Sequence, residues 1–106
     1  MFICSRNQWR SLTAERIFDG VNGHQARSAG TAPNARIKVT AGQVGWADII
    51  LVMERKHVRR LQEKFGRALM GKPVHCLDIS DDYPFMDAEL IELLRSRVPD
   101  YIGDLS

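Results

Sequence analysis

A cysteine, five intervening residues, an arginine and a serine form the most chemically pointed stretch of this chain: Cys4-Ser5-Arg6-Asn7-Gln8-Trp9-Arg10-Ser11. It leaves a short apolar run, Met1-Phe2-Ile3-Cys4, and enters a helical pattern. A loop of this length can curl so that its backbone N–H groups point inward as an anion nest. The helix that follows adds free N–H groups and the positive end of its dipole. A cysteine at the start of such a ring sits in positive potential, which favours the nucleophilic thiolate. An arginine closing the ring can grip two phosphate oxygens through its planar fork. Ser11 can donate its hydroxyl to the thiolate or the leaving sulfur, and equally reads as the N-cap of the helix. Cys4 alone would read as readily as an inert buried cysteine; Arg10 and Ser11 in register outweigh that. A solvated Arg10 at a helix start would go against the dipole. Trp9 reads as a pocket wall, with plain surface packing as the alternative.

Strands and helices alternate around this loop. The 11–20 stretch has Ala14, Ile17, Phe18 and Val21 at helical spacing. Val21-Asn22-Gly23-His24 is turn chemistry. Residues 25–29 can form a short strand stopped by Gly30, and 34–40 are ambiguous. Thr40 and Gln43 have capping-box spacing for a short helix, weakened by Gly42 and Gly45. Asp48-Ile49-Ile50-Leu51-Val52-Met53 is the clearest buried strand. A helix over 55–69 puts Val58, Leu61, Phe65 and Leu69 on one face and ends at Gly71. A fourth strand covers 73–77, and a last helix over 87–97 buries Leu90, Ile91, Leu94 and Val98 before Pro99 stops it. The expected fold is one α/β domain over 1–106: three layers, a four-stranded parallel sheet with helices on both faces. Right-handed crossovers restrict its topology. Ligands bind such sheets beyond the carboxyl ends of the strands, where the strand order reverses. The loop after the first strand is therefore the place for chemistry.

Composition narrows the classes. Apolar residues at 44% and charged residues at 26% suit a globular core. Fifteen Lys and Arg against thirteen Asp and Glu leave +2, too mild for a dedicated nucleic-acid binder. No apolar run nears the ~20 residues that span a bilayer. The first residues lack a signal peptide's basic head and apolar stretch. Cys4 and Cys76 make no disulfide framework, so reduced thiols and a cytoplasmic location are expected. Cys76 reads as core, with His75 pointing the opposite way along its strand, which argues against a metal pair. His24 and His57 read as surface residues. Arg55, Lys56, Arg59, Arg60 and Lys64 read as a solvated helix face, with docking of an acidic partner as the lesser alternative. Asp81 and Asp82 read first as turn residues. There is no zinc spacing, no nucleotide-binding glycine motif and no glycosidase-type carboxylate pair, so neither metal nor cofactor is expected.

The chain resembles the low-molecular-weight protein tyrosine phosphatases at four places in order. They are the Cys4–Arg10–Ser11 loop; Ser28-Ala29-Gly30-Thr31; Ala47 to Met53 with Arg59-Arg60-Leu61; and Asp81-Asp82-Tyr83, which is similar to the Asp-Pro-Tyr of the family's acid loop. The resemblance implies a phosphotyrosine (aryl phosphate) phosphatase acting through a phosphocysteine. Cys4 falls on the nucleophile, Arg10 on the phosphate-binding arginine, Ser11 on the serine that stabilises the thiolate and Asn7 on the asparagine that shapes the ring. Asp81 falls on the general acid that protonates the leaving oxygen and then activates water. Ser5, Arg6, Asn7, Gln8, Trp9, Arg10 and Ser11 would surround the phosphate. The implied partners are a phosphorylated protein or small aryl phosphate, with inorganic phosphate, sulfate or vanadate able to fill the loop; neither nucleic acid nor membrane is among them.

The chain departs from the family pattern. Arg6 stands where glycine is usual, so it either strains a glycine-adapted turn or adds positive charge at the rim. Trp9 stands where a second cysteine is common. Asp82 replaces the acid-loop proline, which leaves Asp82 itself a candidate acid. Between Thr31 and Asp48 there is room for only a turn and a short helix, as in a trimmed branch. Two other functions share the loop. Arsenate reduction needs further cysteines, and only Cys76 could serve. A non-catalytic phosphate-binding or interaction module would fit the shortened chain.

Overall fold

The computed structural model describes residues 1–102. Strands β1 (Phe2–Cys4), β2 (Ser28–Gly30), β3 (Ile50–Val52) and β4 (Val74–Cys76) form one sheet in the order β2-β1-β3-β4. All pairings are parallel: Cys4 lies opposite Gly30, Ile3 opposite Val52, and Val52 opposite Cys76. β1 and β3 are the central strands, and the order reverses between them. The helices are α1 (Arg10–Phe18), α2 (Ala41–Trp46), α3 (Arg55–Phe65), α4 (Ala88–Arg97) and α5 (Pro99–Ile102), with a 3₁₀ turn at Val21–Gly23.

Alternation along the strands divides the core into two layers. Phe2, Cys4, Leu51 and Met53 face α1 and α4, packing with Ala14, Phe18, Leu90 and Leu94. Ile3, Ala29, Ile50 and Val52 face α2 and α3, packing with Val44 and Leu61. The central strands are apolar on both faces because both faces are covered. No helix among the described residues is long and apolar enough to cross a membrane.

Local chemistry sets most element ends. Thr40 and Gln43 form the expected capping box: Gln43 N–H donates to Thr40 Oγ1 at 3.2 Å, and Thr40 N–H to Gln43 Oε1 at 2.9 Å. Asp87 caps α4 by accepting from Leu90 N–H at 3.1 Å. Four expectations shift. The helix expected to Leu69 ends at Phe65, where Gly66 follows; a further turn still buries Leu69. Pro99 does not stop the chain's helical course. It opens α5, because the first helical position needs no N–H donor. Ile91 is only half-buried, whereas Leu90 and Leu94 fill the core. β2 runs through Gly30, whose N–H donates to Ile37 O at 2.8 Å, so part of the ambiguous 34–40 stretch borders the sheet.

Gly30 has a second task. A Cβ built there would lie 2.4 Å from the Ser5 carbonyl oxygen and 2.6 Å from Ala35 Cβ. Absence of a side chain lets the loop after β1 settle on the end of β2, where Thr31 and Ala32 N–H donate to the Cys4 and Ser5 carbonyls. Gly30→Ala should therefore destabilise the protein by about 1–3 kcal/mol, the usual cost of overpacking. It should also weaken vanadate or phosphate binding to the loop. Denaturant unfolding and anion titration measure both; an unchanged midpoint with unchanged anion affinity contradicts the packing argument.

Candidate active site

The loop after β1 curls around the Cys4 sulfur. Asn7 takes the left-handed backbone conformation, φ 57°, which asparagine tolerates better than most residues. This aims its backbone N–H at Cys4 Sγ, 3.2 Å away. Its side-chain Nδ2 donates to Ser11 Oγ at 2.9 Å, and that hydroxyl lies 2.9 Å from Cys4 Sγ. Because Ser11 Oγ already accepts from Asn7, its own proton is free to point at sulfur. The Ser11 hydroxyl and the Asn7 N–H thus converge on one sulfur. The turn is held from outside by Arg36, whose Nε donates to Asn7 O at 3.2 Å and whose backbone N–H donates to Arg6 O at 2.8 Å. The tight turn expected to strain Arg6 is instead made by Asn7: Arg6 has no positive φ and its side chain is exposed.

The helix begins two residues earlier than an N-cap at Ser11 requires. Trp9 is the N-cap, without a side-chain cap bond, and Arg10 and Ser11 are helical. The Ser11 hydroxyl is committed to Asn7 and Cys4, not to the helix end.

Arg10 is almost wholly buried, 2% exposed. Its Nη1 donates to the Glu54 carboxylate and, at 2.7 Å, to the Ile79 carbonyl. These contacts fix the plane of the guanidinium at the cleft floor. A buried cation at the positive end of a helix needs such a partner. Burial opposes the Glu54 charge, but the hydrogen bond and charge of Arg10, with Lys56, outweigh it and hold its pKa below the ordinary carboxylate value.

Glu54 and His57 were not among the residues expected here, and His57 is no surface residue: it is fully buried. Glu54 N–H donates to His57 Nδ1 at 3.0 Å, so the ring proton sits on Nε2 and points to Ser5 Oγ, 3.0 Å away. Burial first, then the Arg10 charge, push the His57 pKa down to about 4. The ring is neutral and braces the loop from α3. One signal was present: His57 lies four residues before the buried Leu61, on its helical face.

The cleft above the sulfur has a volume of about 360 Å³. Cys4, Ser5, Arg6, Gln8, Trp9 and Arg10 line it from the loop, joined by Lys56 and Asp81. Trp9 is nearly half exposed on its wall. Asp81 Oδ1 lies 3.6 Å from Arg10 Nε, with most of its side chain open to solvent. Asp82 does not line the cleft and accepts from Ser80 Oγ at 2.7 Å. The loop carrying both aspartates is fastened at each end. Arg97 Nη1 donates to the Leu77 and Asp78 carbonyls, both at 2.7 Å, and Met86 N–H donates to the buried Thr13 hydroxyl at 2.9 Å. This arrangement can hold a tetrahedral oxyanion over a sulfur nucleophile, with a carboxyl group near its outer oxygen.

The remaining candidates lie elsewhere. Cys76 is half-buried, its sulfur 3.5 Å from Asp78 Oδ1, and it does not line the cleft. His75 turns to the other face and stacks on Tyr101. His24 is half-buried near the amino ends of the strands. Among the described residues, no three His, Cys, Asp or Glu side chains are placed to share a metal ion.

The neutral His57 has a consequence for stability. Unfolded, its pKa is the ordinary 6.5, so between pH 6.5 and about 4 the unfolded chain binds a proton that the folded one refuses. His57's share of stability is full above pH 6.5 and falls as the pH drops to about 4. Unfolding free energy measured against pH should show this slope in the wild type and lose it in His57→Gln; equal slopes would contradict the buried neutral ring.

No protein-family model matches the sequence, and no curated protein matches it at a significant level. Solved structures match by fold. The tyrosine phosphatase Wzb from Escherichia coli K30, in complex with phosphate, superposes with a TM-score of 0.78 at 20% identity, over 99% of this chain and 96% of that one. The YwlE arginine phosphatase from Geobacillus stearothermophilus gives 0.74 at 20% identity, over 95% and 90%. A YwlE mutant from Bacillus subtilis gives 0.69 at 23% identity, over 97% of each chain. The chain thus has the fold that its sequence resemblance implies: a parallel four-stranded α/β sheet of the low-molecular-weight phosphatase type.

Proposed function

We propose that this protein is a cysteine-dependent phosphatase that hydrolyses phosphotyrosine through a phosphocysteine intermediate. The carrying observation is the Cys4 sulfur held between the Ser11 hydroxyl and the Asn7 N–H, in a cleft that also holds Arg10 and Asp81. In the first step the thiolate attacks phosphorus and the P–O bond to the leaving group breaks. Arg10 and the loop N–H groups hold the equatorial oxygens as charge spreads over them. Asp81 gives its proton to the leaving oxygen. In the second step water attacks phosphorus, the Asp81 carboxylate takes its proton, and the S–P bond breaks. Ser11 and Asn7 then stabilise the departing thiolate.

One of the enzymes sharing the fold is described as a tyrosine phosphatase and another as an arginine phosphatase. Trp9 on the cleft wall favours an aromatic ring, which it can stack against. Arsenate reduction is disfavoured because it needs a second thiol at the loop, and Cys76 does not line the cleft. A purely binding module would have no need of a carboxyl group at the mouth. Two free thiols fit a reducing compartment, so we place the protein in the cytoplasm.

Phenyl phosphate turnover should fall by roughly 10³-fold or more in Cys4→Ser, which has no comparable nucleophile. It should fall by about 10²–10³ in Arg10→Lys, where the charge survives but the fork does not. Wild-type turnover in either variant would remove that residue from the chemistry.

The acid is tested by leaving group. Asp81→Asn should slow phenyl phosphate by about 10²–10⁴ but nitrophenyl phosphate far less, because a good leaving group needs little protonation. Asp82→Asn should leave that ratio near the wild-type value. If the leaving-group dependence follows Asp82, the assignment moves by one residue. If it follows neither, no acid acts from this loop.

A further inference from the structure

Helix α3 has Glu54 as its N-cap and Lys64 in its last turn, as the dipole favours, but its first turn runs the other way. Arg55 and Lys56 occupy its first two positions, and its first turn has no acidic residue. Cations there oppose the helix dipole. Arg59 and Arg60 follow four residues later, which sets two like-charge pairs on neighbouring turns. All four are exposed. Lys56 Nζ lies 3.9 Å from Glu54 Oε1, but that carboxylate is already engaged by Arg10. Among the described residues, neither Arg55 nor Arg59 has an acidic partner. Charges kept where they cost stability point to a task outside the fold.

The surroundings show where the task lies. Arg55, Lys56 and Arg59 line a surface groove of about 430 Å³ with Glu54, Asp78 and Ser80. Lys56 also lines the cleft above Cys4, and Ser80 directly precedes Asp81 of that cleft. The groove therefore continues from the mouth of the cleft along the α3 side. A polypeptide that placed a phosphorylated side chain over Cys4 would lay neighbouring residues across it.

We propose that this groove binds acidic side chains next to the phosphorylated residue, so that the substrate is a phosphotyrosine segment flanked by Glu or Asp. This deepens the phosphatase reading and rests on it. Arginine forks match carboxylates bidentately. In the groove Arg55, Lys56 and Arg59 outnumber Glu54 and Asp78, so its lining stays net positive and would attract an acidic segment.

The experiment compares phosphotyrosine peptides of equal length flanked by Glu or by Gln, with phenyl phosphate as a substrate that cannot reach the groove. Wild type is run beside Arg55→Gln/Arg59→Gln. In the wild type, kcat/KM should favour the Glu peptide by about 10-fold or more at low salt, a preference that shrinks as salt screens it. The double variant should bring the ratio near one and leave phenyl phosphate turnover unchanged. Its Tm should rise, since like charges and wrong-end cations are removed; a fall would overturn the electrostatic argument. Equal kcat/KM for both peptides in the wild type, or a full preference in the variant, overturns the groove. Fluorescence anisotropy of the same peptides reads the groove without turnover, and equal affinities there overturn it too. Failure to hydrolyse any substrate while the Glu peptide still binds more tightly overturns the phosphatase reading and leaves the groove standing.

Discussion

The buried guanidinium of Arg10 is the constraint on which the rest of the site depends. Its head of helix α1 already carries positive potential, and its side chain has lost nearly all contact with water. Such a charge persists only with a carboxylate and further acceptors in place. Glu54 supplies the first and the Ile79 carbonyl the second. Glu54 follows β3 and Ile79 follows β4, so one side chain ties together the carboxyl ends of three adjacent strands. That knot decides where the cleft can be and which way the guanidinium faces within it.

Around it, each element of the loop satisfies two needs at once. Asn7 makes the left-handed turn and shapes the hydroxyl bridge to sulfur. Ser11 sits within the helix yet serves Cys4. His57 braces Ser5 while accepting the N–H of Glu54, so the ring that steadies the loop also orients the residue that holds Arg10. Gly30 contributes by having no side chain, because the sheet edge must let the Ser5 carbonyl come close. The loop and helix end are thus arranged by hydrogen bonds and packing within the fold itself, which is the condition for electrostatic preorganisation.

Much of this was legible in the sequence because it is local. Cys4 to Ser11 is one continuous stretch, and the apolar runs around it set a parallel sheet whose carboxyl edge must face the chemistry. Thr40 and Gln43 announced their helix by side-chain type alone. What escaped reading depends on register between distant segments. Glu54 meets Arg10, and His57 meets Ser5, only because β1 pairs in parallel with β3. In sequence His57 stands among arginines and lysines, which masked its place on the buried face with Leu61. The end of α3 at Phe65 and the opening of α5 at Pro99 turned on whether a glycine or proline falls inside a turn or at its margin. Asp81 and Asp82 are alike by composition, and only the Ser80 contact and the nearness of Arg10 separate them.

The account stands on a covalent bond between Cys4 sulfur and phosphorus. Rapid acid quench of the wild-type protein during turnover of an aryl phosphate, followed by peptide mass spectrometry, tests it most directly. One phosphoryl group should appear on the peptide bearing Cys4, accumulate when Asp81 is replaced by Asn with a nitrophenyl leaving group, and be absent from Cys4→Ser. Turnover that proceeds with no phosphoryl group on Cys4 at any quench time, or with one on another residue, would contradict it.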